Sequence, residues 1–486
     1  LTKGGARSAG GFSRASISAA LLAALILAGC AVGPDYQRPD IDTPDNWRLA
    51  AEEGTDYSNT AWWGLFQDPV LDQLIRTALT ENKDIRIAAA TIEEFMGRYG
   101  ATRADQFPQI DASGSAARAR SSTAGLPPGS DPVGERYRVD LNAFFEIDFW
   151  GRLRRATEAA RADLLASEEA RRTVVLTLVS AVASGYINLR ELDRELEIAR
   201  DTLLTREESL RIARLRFQAG LTSEQPFQQA EAEYQATALQ IPLSEKTVAQ
   251  QENALSLLLG RNPGPIVRGR TLNELSMPEV PRGLPSELLE RRPDIRQAEQ
   301  QLVAANARIG VARAEYFPTL SLTGALGSAS TDLSNLFSGP ARTWSYGGGL
   351  LAPIFTAGKI AGQVQVAEAQ QQQALLRYQQ AIQTAFGEVE DSLIDVRKSQ
   401  EQLAAQQKQV EALSRYARLA QLRYDNGYTS YLEVVDAQRN LFDAELALAL
   451  NQGGVLLAVI NLYKAMGGGW VTEAEALALA EPGAAE

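Results

Sequence analysis

Cys30 is the only thiol in the sequence, and no histidine accompanies it anywhere in the 486 residues. Together these facts remove most of the chemistry that side chains perform. Histidine-based zinc sites, histidine general bases and disulfide frameworks are unavailable, so an enzyme would have to work through carboxylates or cofactors alone. No nucleophile–base pair, metal cluster or phosphate loop is legible; the Gly-Gly-Gly runs lack the Lys-Ser/Thr or strand–helix context that phosphate loops require. The sequence therefore reads as a non-enzyme. What Cys30 does have is a setting. Lys3, Arg7 and Arg14 precede an apolar run from Ile17 to Leu27, and Leu27-Ala28-Gly29-Cys30 follows. A basic segment, a short apolar segment and small residues at a cleavage point describe a secretory signal over 1–29, and the run is too short to span a bilayer.

The Leu-Ala-Gly-Cys ending resembles the lipobox of bacterial lipoproteins. That resemblance implies diacylglycerol on the Cys30 sulfur, an N-acyl lipid on the new amino terminus, and no other cofactor. Ala31 follows in place of Asp, which by the lipoprotein sorting rule implies the outer membrane. Acyl chains hold a protein at a membrane without any spanning helix. Removing 1–29 takes away three positive charges and no negative ones, so the formal charge of −12 becomes −15. Such a surface is a poor partner for nucleic acid or anionic headgroups.

At this length two domains or a repeat is expected, and the sequence supports a repeat. LRFQAGLTS at 215–223 returns as LRYDNGYTS at 422–430, so Arg216, Gly220, Thr222 and Ser223 recur as Arg423, Gly427, Thr429 and Ser430, 207 positions on. Gly after a helical pattern supplies a left-handed C-cap, and Thr-Ser after it can cap the next helix. Each copy is therefore expected to be the tip of a helical hairpin.

The elements that carry these tips follow in order. Residues 30–68 read as an extended arm. The first repeat, 69–260, begins with a helical pattern over 69–105 that Phe107-Pro108 ends. Strands follow at 107–120 and 136–149. In the second strand Tyr137, Val139, Leu141, Ala143, Phe145, Ile147 and Phe149 alternate with Arg138, Asp140, Asn142, Glu146 and Asp148, and only Phe144 breaks the alternation. That is the apolar-out, polar-in code of a transmembrane strand, although a half-buried soluble strand alternates in the same way. A long helix then runs to about Phe217, with Leu178, Val182, Gly185, Leu189, Leu192, Leu196, Ala199 and Leu203 at alternating steps of four and three, a coiled-coil seam. A second helix returns to Leu259, with a kink expected at Pro242. Residues 261–285 read as a linker. The second repeat, 286–466, matches the first: NKDIRIA aligns with RPDIRQA, and RADQFPQI with RAEYFPTL, 210 positions apart. Its strands are expected at 317–330 and 343–355, and 467–486 reads as a loose tail. Four strands cannot close a barrel, and lipid does not tolerate open sheet edges, so several copies must share one barrel.

The lipobox followed by AVGPDYQRP, the two Phe-Pro strand entries and the paired turns resemble the outer-membrane efflux lipoproteins of the TolC-like family, the outer-membrane factors of tripartite pumps. The resemblance covers essentially the whole mature chain. It implies a mainly α fold with a membrane β-barrel, a trimer with a twelve-stranded barrel, and a periplasmic α-helical tunnel. It further implies passive export, with a periplasmic adaptor and an inner-membrane pump of the RND type as partners. In that family acidic rings guard the closed end, and the matching residues here are Glu433 and Asp436, three apart and able to share a helix face. At the same offset the first turn has Pro226 and Gln229, so its acids are absent. Tyr424 matches a tyrosine implicated in holding the inner helix pair closed, while the basic partner found in some members is Thr429 here. The exit duct of a type I protein secretion system, a lipid-anchored periplasmic adaptor or scaffold, and a general porin are the rival readings; a porin lacks long helices, and a scaffold leaves the alternating strands unexplained. For the anchor, Cys30→Ala is expected to abolish incorporation of labelled acyl chains, and persistent labelling would refute that site.

Overall fold

The computed structural model describes residues 31–44, 46–49, 61–124, 127, 129, 131–278 and 285–468. The expected signal over 1–29, Cys30, part of the 261–285 linker and the tail from 469 lie outside the described residues. The principal elements are α1 (Pro69–Glu81), α2 (Lys83–Ala104), β1 (Gln109–Arg120), β2 (Val133–Ile147), α3 (Arg152–Gln218), α4 (Glu224–Leu258), α5 (Pro293–Ala314), β3 (Thr319–Ser330), β4 (Arg342–Leu351), α6 (Lys359–Asp425) and α7 (Tyr431–Ala465). The duplication is metric: α2 and α5 have 22 residues each, α3 and α6 have 67, and α4 and α7 have 35. A 67-residue helix is roughly 100 Å long at about 1.5 Å per residue. Windows of α3 and α7 are apolar enough to cross a bilayer by composition, but 61% and 50% of them are buried within the protein, as helix-packing seams are.

The chain forms two units, one of 31–39, 93–166 and 299–377 and the other of 40–92, 167–298 and 378–468. The first holds one antiparallel sheet in the order β1-β2-β3-β4, so the two repeats meet at the β2–β3 pairing and β1 and β4 are free edges. Directly opposed residues share a face, and the register sorts the faces by polarity. One face carries Ile110, Leu141, Val139, Phe145, Ile147, Leu320, Leu322, Leu326, Trp344, Tyr346 and Leu350; the other carries Asp111, Ser113, Arg138, Asp140, Asn142, Glu146, Ser321, Thr323, Thr343 and Ser345. Phe144 and Leu351 are the large apolar exceptions on the polar face. The apolar side is left in the open, with Trp344 and Tyr346 stacked and 73% and 83% exposed. A four-stranded sheet with a bare apolar face and two bare edges suits lipid and neighbouring copies, not water.

The arm in this unit is fixed on α5. Val32 donates to the Trp150 carbonyl at 2.9 Å, Asn306 donates to the Pro34 carbonyl at 2.9 Å, Arg155 binds Asp35 at 2.6 Å, and Tyr36 and Arg38 both reach Glu299. Gly33, at φ +109°, crosses Gly310 so closely that a Cβ on Gly33 would stand 2.5 Å from the Gly310 Cα. At the base of the sheet Trp150 stacks on Phe317 with centroids 4.4 Å apart.

In the second unit, Asp68 is fully buried and spans three segments. One carboxylate oxygen accepts the Val70 and Leu71 amides, capping α1; the other accepts the Tyr186 hydroxyl at 2.8 Å and the Arg270 amide at 2.9 Å. Gly269 donates to the same tyrosine oxygen, and a side chain there would overlap the Asp68 carboxylate. Four charge-assisted or capping bonds satisfy a carboxylate that would otherwise be costly to bury. Arg268 binds Asp193 and Glu252 beside it, so the linker is clamped to α3 and α4.

One helical expectation differs from the structure. The pattern over 69–105 is two helices, because Asn82 leaves the helix at ψ 138°; its Oδ1 accepts the Asp84 and Ile85 amides to start α2, and its Nδ2 donates to the Leu258 carbonyl at the end of α4. The equivalent residue of the second repeat is Arg292, whose guanidinium donates to the Ala465 carbonyl at the end of α7 while binding Asp294 and Glu388. Different side chains thus close the same joint. Pro242, where a kink is expected, lies inside α4, which remains one helix from Glu224 to Leu258.

Candidate functional site

The repeated turns are built alike. At the end of α3, Leu221 donates to the Arg216 carbonyl and Gly220 to the Phe217 carbonyl, both at 2.9 Å; at the end of α6, Tyr428 donates to Arg423 at 2.9 Å and Gly427 to Tyr424 at 3.0 Å. These paired bonds require a left-handed residue after the helix, and Gly220 and Gly427 supply it at φ +70° and +78°. Ser223 and Ser430 occupy the N-cap positions of α4 and α7, but neither hydroxyl caps. In the second turn the Thr429 hydroxyl instead binds the Glu433 carboxylate, placing a negative charge in the first turn of α7, where the helix dipole favours it. No contact from the Thr222 or Ser223 side chains adds to this at the first turn among the described residues.

Behind the turns the four long helices share one small core. Leu210 and Ala213 of α3, Ala230 of α4, Ala417 and Ala420 of α6, and Tyr431 and Val434 of α7 are buried together, with Phe227, Tyr234 and Tyr424 packed against them. Alanine at these positions lets the helices approach closely. Burial, with the adjacent Tyr424 as the next cause, pushes the Tyr431 phenol up. Arg206, almost fully buried, ties three of the helices: it donates to the Glu233 carbonyl at 3.0 Å, pairs with the Glu233 carboxylate, and lies 5.7 Å from the centre of the Phe442 ring.

The two equivalent arginines do different work. Arg423 stays within its own hairpin and binds Glu433 at 2.7 Å. Arg216 crosses to the other hairpin: its guanidinium lies 5.2 Å from the centre of the Tyr424 ring and 3.8 Å from the Asp425 carboxylate. Tyr424 in turn stands 5.2 Å from Tyr431. The only direct ion pair between the two turns is therefore made by a first-copy arginine and a second-copy aspartate, among the described residues. Asp425 replaces Gln218 of the first copy, a difference between the copies that does not by itself name the partner of Arg216. Asp436 is held by Arg439 at 3.3 Å and Asn440 at 3.2 Å. Glu433 and Asp436, the two acids of α7 nearest the turn, are thus each paired with arginine inside the chain. Among the described residues no group of three or more acidic or thiol side chains could hold a metal ion.

Comparison with known proteins agrees with this geometry. The family described as outer membrane efflux protein matches residues 74–261 and 284–468, once for each repeat. The chain is 38% identical over 454 residues to the probable efflux pump outer membrane protein TtgC of Pseudomonas putida, covering 91% of this chain and 93% of that one. It is 38% identical over 448 residues to the cation efflux system protein CusC of Escherichia coli, covering 91% and 96%. The crystal structure of the Campylobacter jejuni CmeC outer membrane channel superposes with a TM-score of 0.88 at 28% identity, covering 93% of this chain and 98% of that one.

In the same unit as the tips, Glu191 on α3 lies against Gly453 on α7, where a side chain would overlap its carboxylate. Burial, and to a smaller extent the charge of Glu195, pushes the Glu191 carboxyl up to about 7. The folded chain therefore keeps a proton that the unfolded chain releases at the ordinary value of 4.5. The stability tied to this site is complete below the unfolded value and is lost as pH rises through the folded one. The thermal midpoint of the detergent-solubilised protein should fall between about pH 5 and about pH 8, and Glu191→Gln should remove most of that fall. An equal fall in both proteins would contradict the assignment.

Proposed function

This chain belongs to the outer membrane efflux protein family, and on that premise we propose that its repeated turns are the gated end of an export channel, held closed by the Arg216 junction. The protein is an outer-membrane exit channel for a tripartite efflux pump. It works as a homotrimer with a periplasmic adaptor and an inner-membrane pump, and three copies supply the twelve strands of one barrel. The duct performs no bond chemistry. It needs a polar lumen, and the sheet provides one face of that kind through Asp111, Asn142, Thr323 and Ser345. It also needs an end that can close and reopen at modest cost.

The observation that carries the gate is the contact of Arg216 with Tyr424 and Asp425. A half-exposed ion pair contributes about 0.2–1 kcal/mol and a cation–π contact about 0.5–1 kcal/mol. Each chain thus gains about 1 kcal/mol, and three together about 3 kcal/mol, which is on the order of a hundredfold in the closed-to-open ratio. That is firm enough to keep an idle channel closed and weak enough for a docking partner to overcome. Glu433 and Asp436 are proposed to line the constriction, where three copies of each would bind cations whenever their arginine pairs loosen. Cys30 is proposed to carry the lipid anchor.

Planar-bilayer conductance tests the gate. Arg216→Gln should raise the open fraction by one to two orders of magnitude, and Glu433→Gln with Asp436→Asn should weaken block by divalent cations while trimers still assemble. Unchanged conductance in the first variant removes the junction from the gate, and unchanged block in the second removes the acids from the lumen.

A further inference from the structure

The sheet also carries arginines that neither the lumen nor the gate uses. On its apolar face, the rows running toward the loops at 121–132 and 331–341 end in charge. Ala112, Leu141, Leu326 and Trp344 form one row; Gly114, Val139, Ser328 and Arg342 form the next; Arg118 faces Glu135, and Arg120 faces Val133 beyond. Three arginines therefore stand on the lipid-facing side at the end of the sheet away from its helices. Glu135 to Ile147 is thirteen residues of β2, roughly 40 Å of strand at about 3.4 Å per step and about 30 Å of depth once tilted by about 40°. The apolar band of such a barrel is about 25 Å tall, so Arg118 and Arg120 lie just beyond it, at headgroup depth, while Arg342, in the Val139 row, stands at the upper margin of the band, from where a long side chain reaches the headgroups.

The pairing of Arg120 and Arg342 differs from that of the basic groups at the helix end of the sheet. At the helix end Arg152 binds Glu146 at 2.8 Å and Arg154 binds Asp148 at 3.4 Å, so those charges are matched. On the polar face Arg138 pairs with Asp140. At the loop end the outward face has one acid, Glu135, which Arg118 approaches at 3.5 Å and which also accepts the Tyr137 hydroxyl. The loop acids Asp131 and Asp332 are turned to the backbone amides of Val133 and Ser334. Arg120 and Arg342 carry no ion pair among the described residues. They also sit on opposite edges, Arg118 and Arg120 on β1 and Arg342 on β4, so closing the ring brings the groups of two neighbouring chains to one seam.

We propose that Arg118, Arg120 and Arg342 form a binding site for the phosphate groups of outer-leaflet lipid at each seam of the trimer. Guanidinium groups bind phosphate in two-pronged fashion, and unmatched cations at headgroup depth are stabilised by such a partner where a neutral surface is not. Anionic lipid at three seams would also cover the places where separate chains meet.

The site rests on the sheet lying in the membrane, and one experiment separates the two statements. Trp344 is two residues from Arg342 and reports lipid contact through quenching by bromine-labelled acyl chains. The wild-type trimer should be reconstituted with brominated phosphatidic acid or brominated phosphatidylcholine, each diluted in unlabelled phosphatidylcholine. We expect a several-fold preference for phosphatidic acid over phosphatidylcholine. The preference should vanish in the triple variant Arg118→Gln, Arg120→Gln, Arg342→Gln and persist when the same three residues become lysine, with heat-stable trimers in every case. A preference unchanged in the glutamine variant would overturn the site. So would its loss on adding about 10 mM inorganic phosphate, which would mark a free-phosphate site in place of a lipid one. Absence of quenching by either lipid would overturn the membrane placement, and the site with it.

Discussion

Two unpaired strand edges govern the rest of this molecule. β1 and β4 bound a sheet of four strands, and each edge exposes a row of amide and carbonyl groups that no other segment of the chain covers among the described residues. In water such edges invite aggregation, and in lipid every unmet backbone group costs several kcal/mol. Within one chain nothing can remove them, because four strands are too few to curl into a closed wall. A ring of identical chains removes all of them at once, pairing β4 of one copy with β1 of the next. The apolar face then has lipid to meet and the polar face has a lumen. The segregation of the faces is thus a condition of closure as much as a signature of membrane insertion.

The second lesson concerns duplication. Equal helix lengths in the two halves show that the repeat has been kept as a scaffold, yet equivalent positions have taken on separate tasks. Asn82 and Arg292 both meet the carbonyl end of the returning helix, one as a neutral cap and the other as a charged clasp. Arg216 and Arg423 begin the same turn, but one joins the two hairpins and the other staples its own. A channel formed from six copies of one hairpin could only open or close as a whole. Unequal copies allow one hairpin of each chain to move against the other, with a junction of modest strength between them.

Much of this was legible in the residues. The alternation from Tyr137 to Phe149, broken only at Phe144, specifies a strand and its two faces, because a period of two admits no other element. β4 is different: Trp344-Ser345-Tyr346-Gly347-Gly348-Gly349 has weak strand propensity and is readable only through its duplicate. The long helices follow from their seams, and the turns from Gly220 and Gly427. The break at Asn82 was not legible, since the apolar pattern of α1 runs on in phase and the side chain that ends the helix acts through a carbonyl 176 residues away. Nor was the partner of Arg216, because an ion pair between two hairpins is a tertiary fact that neither turn states alone. Glu433 and Asp436 were readable as acids but not as acids already paired with arginine.

Closure by neighbouring copies can be measured directly at the seam. Ser113 on β1 and Thr343, Ser345 and Gly347 on β4 lie on the same face of the sheet. Within one chain β1 and β4 are three strand spacings apart, about 14 Å, too far for a disulfide. Ser113→Cys should be combined in turn with Thr343→Cys, Ser345→Cys and Gly347→Cys, and each protein oxidised in outer-membrane fractions. The account predicts that at least one pair locks three chains into a single covalent species that ends at three. Species confined to one or two chains in all the pairs, or a ladder that continues past three, would contradict it.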